Sequence, residues 1–187
     1  MSKQKYQNLE TAIFANGCFW CTEAVFQRLE GVSEVFPGFT GGHIKNPPYR
    51  EVCTERTGHA EAVQVLFDPS VIAYEALLEV FFATHDPTTL NRQGNDVGTR
   101  YRSEIFYTSA AQKEASEKFI SFLEKQRIFD TPIVTVISEA QPFYKAEEVH
   151  HNYYNANTEQ PYCQLVIDPK IKKIQKYHAN KLKSVSQ

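Results

Sequence analysis

The residues best suited to chemistry lie in the segment 16–21, which reads Asn-Gly-Cys-Phe-Trp-Cys. A strand-like stretch ends there, Gly17 turns the chain, and Cys18 opens a stretch with helical spacing. A thiol in the first turn of a helix lies near the positive end of the helix dipole and near unpaired backbone N–H groups. Both favour the thiolate, so the position predicts that Cys18 is a nucleophile at neutral pH.

Cys18 and Cys21 also form a CxxC pair. Near a β-α-β pattern such a pair is typical of a thiol–disulfide redox site. A zinc site would need two further ligands at matching spacing, and the sequence has no second CxxC or HxxxH. Phe19 and Trp20, between the cysteines, either pack in the core or form an apolar wall beside the thiol. Such a wall would suit a methyl or sulfonium-like group.

The composition describes an ordinary globular protein. Of 187 residues, 42% are hydrophobic and 22% charged, and the net charge is -2. We expect a single domain over residues 1–187, with a core over about 8–140 and a coil-rich C-terminal segment over about 141–187. The charge offers no strong field for nucleic acid or an anionic membrane. The N-terminus lacks a signal-peptide pattern, and no apolar run approaches the ~20 residues that cross a bilayer. We therefore expect a cytoplasmic protein that binds neither nucleic acid nor membrane.

Apolar periodicity predicts the elements that must position the cysteines. Alternation and turn residues predict strands over 9–15, 32–40, 60–67, 101–108 and 133–137. Helical spacing predicts helices over 18–29, 70–84 and 109–127. Ser70 and Ser109 are expected to cap the second and third helices. The inward residues expected on the third helix are Ala115, Phe119, Phe122 and Leu123.

The order of these elements is β-α-β-β-α-β followed by α-β. It predicts an α+β fold, a two-layer sandwich with a ferredoxin-like βαββαβ core and a mixed sheet. In the last fifty residues we expect short helices over 146–155 and 170–180, with coil elsewhere, including the coil that carries Cys163.

The run Gly17-Cys18-Phe19-Trp20 is similar to the signature of a known family, and the chain resembles that family, peptide methionine sulfoxide reductase A. Further motifs follow in the same order over about residues 11–168. They are Gly38-Phe39-Thr40-Gly41-Gly42, Asn46-Pro47-Pro48-Tyr49, Gly58-His59-Ala60-Glu61-Ala62-Val63, the segment 94–103 around Asp96 and Tyr101, and the segment 143–151. In the segment 94–103, Arg100 stands where the family usually has Gln.

The resemblance implies the reaction. The family reduces the S epimer of methionine sulfoxide, free or in proteins, with thioredoxin as reductant and with neither a metal nor an organic cofactor. Cys18 would attack the sulfoxide sulfur and Glu61 would protonate the oxygen. Glu61 lies on a predicted strand with Val63 and Val65 on its face, so burial would raise its pKa and keep it neutral.

The resemblance also implies the residues around the substrate. The phenols of Tyr49 and Tyr101 would donate hydrogen bonds to the sulfoxide oxygen. Asp96 would line the pocket, and Phe19 and Trp20 would hold the S-methyl group. His59, His150 and His151 are expected to have supporting structural roles.

Attack would leave Cys18 as a sulfenic acid that a second thiol must resolve. Cys163 aligns with the family's C-terminal resolving cysteine, whereas Cys21 lies one helical turn from Cys18. Motif position favours Cys163 as the resolving residue, and Cys21 remains open as the alternative. Cys53 is expected to be a small packed residue.

Two other functions are compatible with the cysteines alone. One is a general thiol–disulfide oxidoreductase that uses Cys18 and Cys21. The other is a zinc-binding or redox-sensing module. The expected partners are methionine sulfoxide and thioredoxin, and the expected state is a monomer.

Overall fold

The computed structural model describes residues 8–184. The strands, in chain order, are β1 (Glu10–Asn16), β2 (Val32–Thr40), β3 (Ala60–Phe67), β4 (Arg92–Gln93), β5 (Asp96–Val97), β6 (Ser103–Tyr107), β7 (Val136–Glu139) and β8 (Tyr144–Lys145). The α-helices are α1 (Phe19–Phe26), α2 (Tyr49–Val52), α3 (Tyr74–Ala83), α4 (Ala110–Lys125), α5 (Tyr153–Ala156) and α6 (Asp168–Tyr177). Short 3₁₀ turns cover Thr99–Tyr101, Glu148–His150 and Ala179–Lys181, and a π-helical turn covers Cys163–Ile167.

The main sheet has the strand order β7-β6-β1-β3-β2-β8. β1 lies between β6 and β3 and is antiparallel to both, and β2 is antiparallel to β3. These four strands give the predicted ferredoxin-like order, and the parallel pairing of β6 with β7 makes the sheet mixed. The α+β prediction is confirmed. β4 and β5 form a separate small ribbon.

The core lies between the sheet and the helices on one of its faces. Phe14 on β1 is fully buried, and its ring centroid is 5.2 Å from those of Phe26 on α1 and Phe81 on α3. A smaller apolar cluster around Phe106 lies apart from this core, with Phe143 packed against it. Burying a Phe side chain fully contributes about 1.5–3 kcal/mol, so this packing fixes where β1 ends and α1 begins.

Two details of the helices differ from the sequence predictions. Ser70 does not cap α3. Its backbone N–H and its hydroxyl both donate to Asp68 Oδ1, which makes a turn, and the residue before α3 is Ala73. Ser109 does cap α4, where its hydroxyl accepts from the backbone N–H of Gln112. Phe122 on α4 is 55% exposed rather than inward, because it lies off the inward stripe of every fourth residue.

The chain around Cys163 is helical rather than coil. The π-helical turn runs directly into α6. Ile167, Ile171 and Ile174 are buried at spacings of four and three residues, which is the apolar stripe of a helix. Packing of this stripe into the main core fixes the segment, so Cys163 is held in place rather than carried on a free tail.

Candidate active site

Cys18 lies between the end of β1 and the first residue of α1, as its N-cap residue. Gly17 makes the turn with φ +106, and a Cβ there would lie 2.8 Å from the side chain of Gln93, so only glycine fits. The Thr22 hydroxyl donates to Asn16 Oδ1 across this turn. The turn therefore places a half-buried Cys18 side chain at the start of α1.

The thiols of Cys18 and Cys21 share a hydrogen bond. That bond lowers the pKa of Cys21 to about 7, against the effect of burial. The pKa of Cys18 is raised, first by burial, then by the hydrogen bond to Cys21 and the charge of Glu61. The expected thiolate at Cys18 is therefore not the resting state. The pair ionises as a unit, with the Cys18 thiol donating to a Cys21 thiolate.

Glu61 on β3 is 1% exposed. Its Oε2 accepts the backbone N–H of Phe19, the residue after Cys18, at 3.1 Å. Burial raises the pKa of Glu61 to about 8, although the Phe19 N–H and the guanidinium of Arg100 oppose the shift. The carboxyl is thus neutral at pH 7, as predicted from its strand position.

The two oxygens of the carboxyl have different surroundings. Oε2 accepts the Phe19 N–H. Oε1 is buried and has no hydrogen-bond partner among the described residues. The nearest cation is Arg100, whose Nε lies 3.6 Å away. A buried carboxyl oxygen without a hydrogen-bond partner in the protein is available to a ligand.

Two phenols lie beside Glu61. Tyr49 begins α2, and burial followed by the charge of Glu61 raises its pKa. Tyr101 ends a 3₁₀ turn, and burial followed by the charge of Glu61 raises its pKa to about 12. Both phenols therefore keep their protons at neutral pH. The hydroxyl of Tyr101 accepts a hydrogen bond from Arg100 Nη2 at 2.8 Å.

Asp96 lies on the Cys21 side of the site. Its Oδ2 accepts the hydroxyl of Tyr162 at 2.7 Å. The same hydroxyl lies 3.7 Å from the sulfur of Cys21. Tyr162 thereby connects the β4–β5 ribbon to the CxxC pair, although the two parts are far apart in the sequence.

The two aromatic residues between the cysteines have different surroundings. Phe19 is 1% exposed, and its ring contacts Phe39, Tyr49 and His150. Trp20 is half-buried, stacks on Tyr153 with centroids 3.7 Å apart, and donates its Nε1–H to His150 Nδ1 at 3.2 Å. Trp20 is therefore the member of the pair with surface left for a ligand.

The remaining cysteines lie on opposite sides of the site. All four cysteines are free thiols. Cys163 is 0% exposed, and its pKa is raised by burial and then by the charge of Cys21. Cys53 follows α2 and lies close enough to Tyr49 to raise the pKa of that phenol further, after burial and the charge of Glu61. Cys53 is thus beside the phenols, not simply packed in the core.

A cleft of about 660 Å³ opens beside the two cysteines of the CxxC pair. Its walls include Cys18, Cys21, Asp96, Tyr162 and Lys170. The carboxyl of Glu61 is not among the groups that line this cleft. Cys18, Tyr49 and Tyr101 all lie within range of the Glu61 charge, and we call this group the acid side of Cys18. Cys21, Asp96 and Tyr162 line the cleft with Cys18, and we call this group the thiol side.

Several contributors were not singled out as site residues in the sequence. Arg100, Tyr153 and Tyr162 make their contacts through partners more than 30 residues away. His150 was expected to be structural, and it holds the Trp20 indole. In the sequence, Arg100 was marked only by standing where the resembled family usually has Gln.

Within residues 8–184 no group of three or more His, Cys, Asp and Glu side chains could hold a metal ion. Across the same described range, none of the helices combines the length and apolar character needed to cross a membrane.

Known proteins resemble this chain over nearly its whole length. A family model described as peptide methionine sulfoxide reductase matches residues 10–183. Peptide methionine sulfoxide reductase MsrA of Sulfolobus acidocaldarius is 53% identical over 173 residues, which are 92% of this chain and 97% of that protein. Reduced Mxr1 of Saccharomyces cerevisiae aligns with a TM-score of 0.76 and 33% identity, covering 83% of this chain and 90% of that one.

A further solved structure is of Mxr1 in complex with Trx2. It aligns with a TM-score of 0.54 and 26% identity, covering 77% of this chain and 85% of that one. With a family match over most of the chain and half of the residues identical to a curated relative, the chain belongs to the peptide methionine sulfoxide reductase family of oxidoreductases.

Proposed function

We propose that the chain reduces the S epimer of methionine sulfoxide, free or in proteins, to methionine. The observation that carries the proposal is the pair of groups on the two sides of Cys18. On one side lies a buried, neutral carboxyl, Glu61, bonded to the N–H of the next residue. On the other lies a second thiol, Cys21, hydrogen-bonded to the first. A sulfoxide needs both a nucleophile at sulfur and an acid at oxygen.

In the first step the Cys18 proton passes to the Cys21 thiolate, and the Cys18 sulfur attacks the sulfoxide sulfur. Glu61 delivers its proton to the oxygen. The attack forms a bond between the two sulfurs, and the protonated oxygen then passes from the substrate sulfur to Cys18 as that bond breaks, so the substrate sulfur gains two electrons that Cys18 loses. The products are methionine, a Cys18 sulfenic acid, a Cys21 thiol and an ionised Glu61.

The phenols and aromatic rings orient the substrate. Tyr49 and Tyr101 donate to the sulfoxide oxygen as charge develops on it, because both keep their protons at neutral pH. Trp20 supplies the apolar surface for the S-methyl group, with Phe19 behind it in the core. Asp96 borders the cleft, where it is held by Tyr162.

Cys21 is the first resolving residue in this proposal. Its thiol is already hydrogen-bonded to Cys18, whereas Cys163 is buried in a helical turn that would have to open. Condensation of the Cys18 sulfenic acid with the Cys21 thiol forms a disulfide and releases water. Cys163 remains near enough to Cys21 for the charge of one to shift the pKa of the other.

An external dithiol closes the cycle by reducing the Cys18–Cys21 disulfide and becoming oxidised itself. The complex of Mxr1 with Trx2 supports a thioredoxin as that reductant. The cleft gives such a partner an approach to the two sulfurs. We further propose that the protein acts in the cytoplasm as a monomer and needs neither a metal nor an organic cofactor.

The test uses the separated S and R epimers of methionine sulfoxide, supplied with dithiothreitol or thioredoxin. We expect methionine from the S epimer alone, and none from Cys18→Ser. Mass spectrometry after one turnover should find a Cys18–Cys21 disulfide. Equal reduction of both epimers, or reduction by Cys18→Ser, would contradict the proposal. Turnover of insulin disulfides without sulfoxide reduction would favour a general thiol–disulfide oxidoreductase.

A further inference from the structure

Arg100 joins both proton donors of the site. Its Nη2 donates to the hydroxyl of Tyr101 at 2.8 Å, and its Cζ lies 4.5 Å from the centroid of that ring. Its Nη1 donates to the carbonyl oxygen of Cys53 at 2.9 Å. Its Nε lies 3.6 Å from Glu61 Oε1. Arg100 thus lies against both Tyr101 and Glu61, but it is neither the nucleophile nor the acid.

The hydrogen bond to Tyr101 has a direction that the chemistry fixes. A guanidinium has only donors, so the phenol oxygen must be the acceptor. The phenol's own proton is then directed away from Arg100. Tyr101 lies close enough to Glu61 and Cys18 for their charges to raise its pKa. The proton is therefore free to donate on the side where the sulfoxide oxygen would lie.

We propose that Arg100 is a positioning residue that fixes the hydroxyl of Tyr101 as a hydrogen-bond donor to the sulfoxide oxygen. The inference rests on the proposed function, because it names how one donor of that site is oriented. An unoriented phenol samples several rotamers of its O–H bond. Fixing the bond in advance removes a reorganisation that the reaction would otherwise require.

The guanidinium is itself held by a clamp. Glu55 accepts from Arg100 Nη1 at 3.0 Å, from the backbone N–H of Arg100 at 3.1 Å, and from the hydroxyl of Thr99 at 2.7 Å. Gly98 makes room for this carboxylate, since a Cβ there would lie 2.5 Å from Glu55 Oε1. The clamp gives the two Nη arms fixed directions, which a single ammonium group lacks.

Arg100 also affects the pKa of Glu61. Neither Arg100 Nε nor Glu61 Oε1 has a hydrogen-bond partner in the described part of the chain. The guanidinium lowers the pKa of Glu61 against the larger effect of burial, and the charges of Asp96 and Cys21 raise it. The other neighbours of the carboxyl are Cys18, Tyr49 and Tyr101, whose own pKa values its charge raises.

The test is a double-mutant cycle on the first step alone. Arg100→Met, Tyr101→Phe and the double variant are mixed with methionine-S-sulfoxide without reductant, and the rate constant of methionine formation is measured. We expect Arg100→Met to lower this rate constant about tenfold, with the half-saturating substrate concentration unchanged within about twofold. In the Tyr101→Phe background the same substitution should lower it less than about twofold.

Two further variants separate orientation from charge and from folding. Arg100→Lys keeps a cation near Glu61 but lacks the second arm, so its rate constant should stay within about threefold of Arg100→Met. Arg56→Met makes the same substitution at an exposed arginine next to Glu55 and should match the unmodified protein. Thermal unfolding of each variant identifies losses that come from instability.

The proposal is overturned if the Arg100→Met and Tyr101→Phe effects multiply, or if Arg100→Lys matches the unmodified protein. Either result would leave the proposed reduction of the S epimer standing. If the unmodified protein fails to reduce the S epimer at all, the proposed function fails instead, so the two failures are distinguishable.

Discussion

The two sides of Cys18 are built differently. The acid side rests on β3, an inner strand of the sheet, and its carboxyl is 1% exposed. The thiol side is made by α1 and the helical C-terminal segment, and it borders a cleft of about 660 Å³. A carboxyl that must stay protonated at pH 7 has to be kept from water. A disulfide that an external dithiol must reach requires an opening. Burial thus serves proton transfer on one side, and the adjoining cleft serves electron exchange on the other.

The largest effect should come from removing the acid. Glu61→Gln keeps the acceptor for the Phe19 N–H but has no acidic proton. We expect the single-turnover rate constant to fall about 10²–10³-fold, within the range of general acid catalysis. Alkylation of Cys18 by iodoacetamide is the matched control and should change less than about threefold. A parallel loss in alkylation would mean that Glu61→Gln damages the thiol rather than proton delivery.

The burial of Glu61 should also make the free energy of unfolding depend on pH. Its pKa is about 8 in the folded chain against an ordinary value of 4.5, so the folded state binds the proton more tightly. Its contribution is fully present below about pH 4.5 and is lost as the pH rises towards 8, at up to about 1.4 kcal/mol per pH unit. Urea unfolding at pH 5 and pH 8 should show a larger fall for the unmodified protein than for Glu61→Gln. Equal falls would place the carboxyl in contact with solvent.

On the thiol side, Cys21→Ser should separate the first turnover from the later ones. The variant should still form one methionine per protein, more slowly because the Cys18 proton has lost its acceptor, and turnover with thioredoxin should fall at least about tenfold. The Cys18 sulfenic acid should then accumulate and react with dimedone. Normal turnover by this variant, with a Cys18–Cys163 disulfide, would instead make Cys163 the first resolving residue.

The smallest effect is expected at Cys163. Cys163→Ala removes a buried thiol that lies outside the first disulfide of the proposed cycle. Thioredoxin-dependent turnover should stay within about threefold of the unmodified protein. A loss as large as that of Cys21→Ser would erase the distinction between the pair beside the cleft and the third thiol, which lies outside the cleft walls.

The sequence predicted most of the acid side because its signals are local. The bounds of β2 and β3 were predicted correctly, and alternation along β3 placed Glu61 among buried residues. The Gly17 turn and Ser109 cap are likewise read from neighbouring residues. Roles that depended on the resembled motifs, such as those of Tyr49 and Tyr101, remain predictions.

The thiol side was harder because long-range packing decides it. The run Leu165-Val166-Ile167 after Cys163 fits a strand, a coil or a helix, and burial of Ile167, Ile171 and Ile174 against the core selects the helix. The position of Cys18 at the start of a helix, taken alone, predicted an ionised thiol. Burial, the Cys21 thiol and the Glu61 charge, which come from the folded structure, outweigh that effect.

The central claim is that Cys18 attacks while a neutral Glu61 delivers the proton. It is tested most directly by the pH dependence of the single-turnover rate constant, from about pH 5.5 to 9.5, for the unmodified protein and Glu61→Gln. The unmodified protein should gain activity as the cysteine pair ionises near pH 7 and lose it above about pH 8 as Glu61 ionises. Glu61→Gln should be slow and lack the alkaline fall. A rate constant that keeps rising to pH 9.5 in the unmodified protein, or an alkaline fall that persists in Glu61→Gln, would contradict the claim.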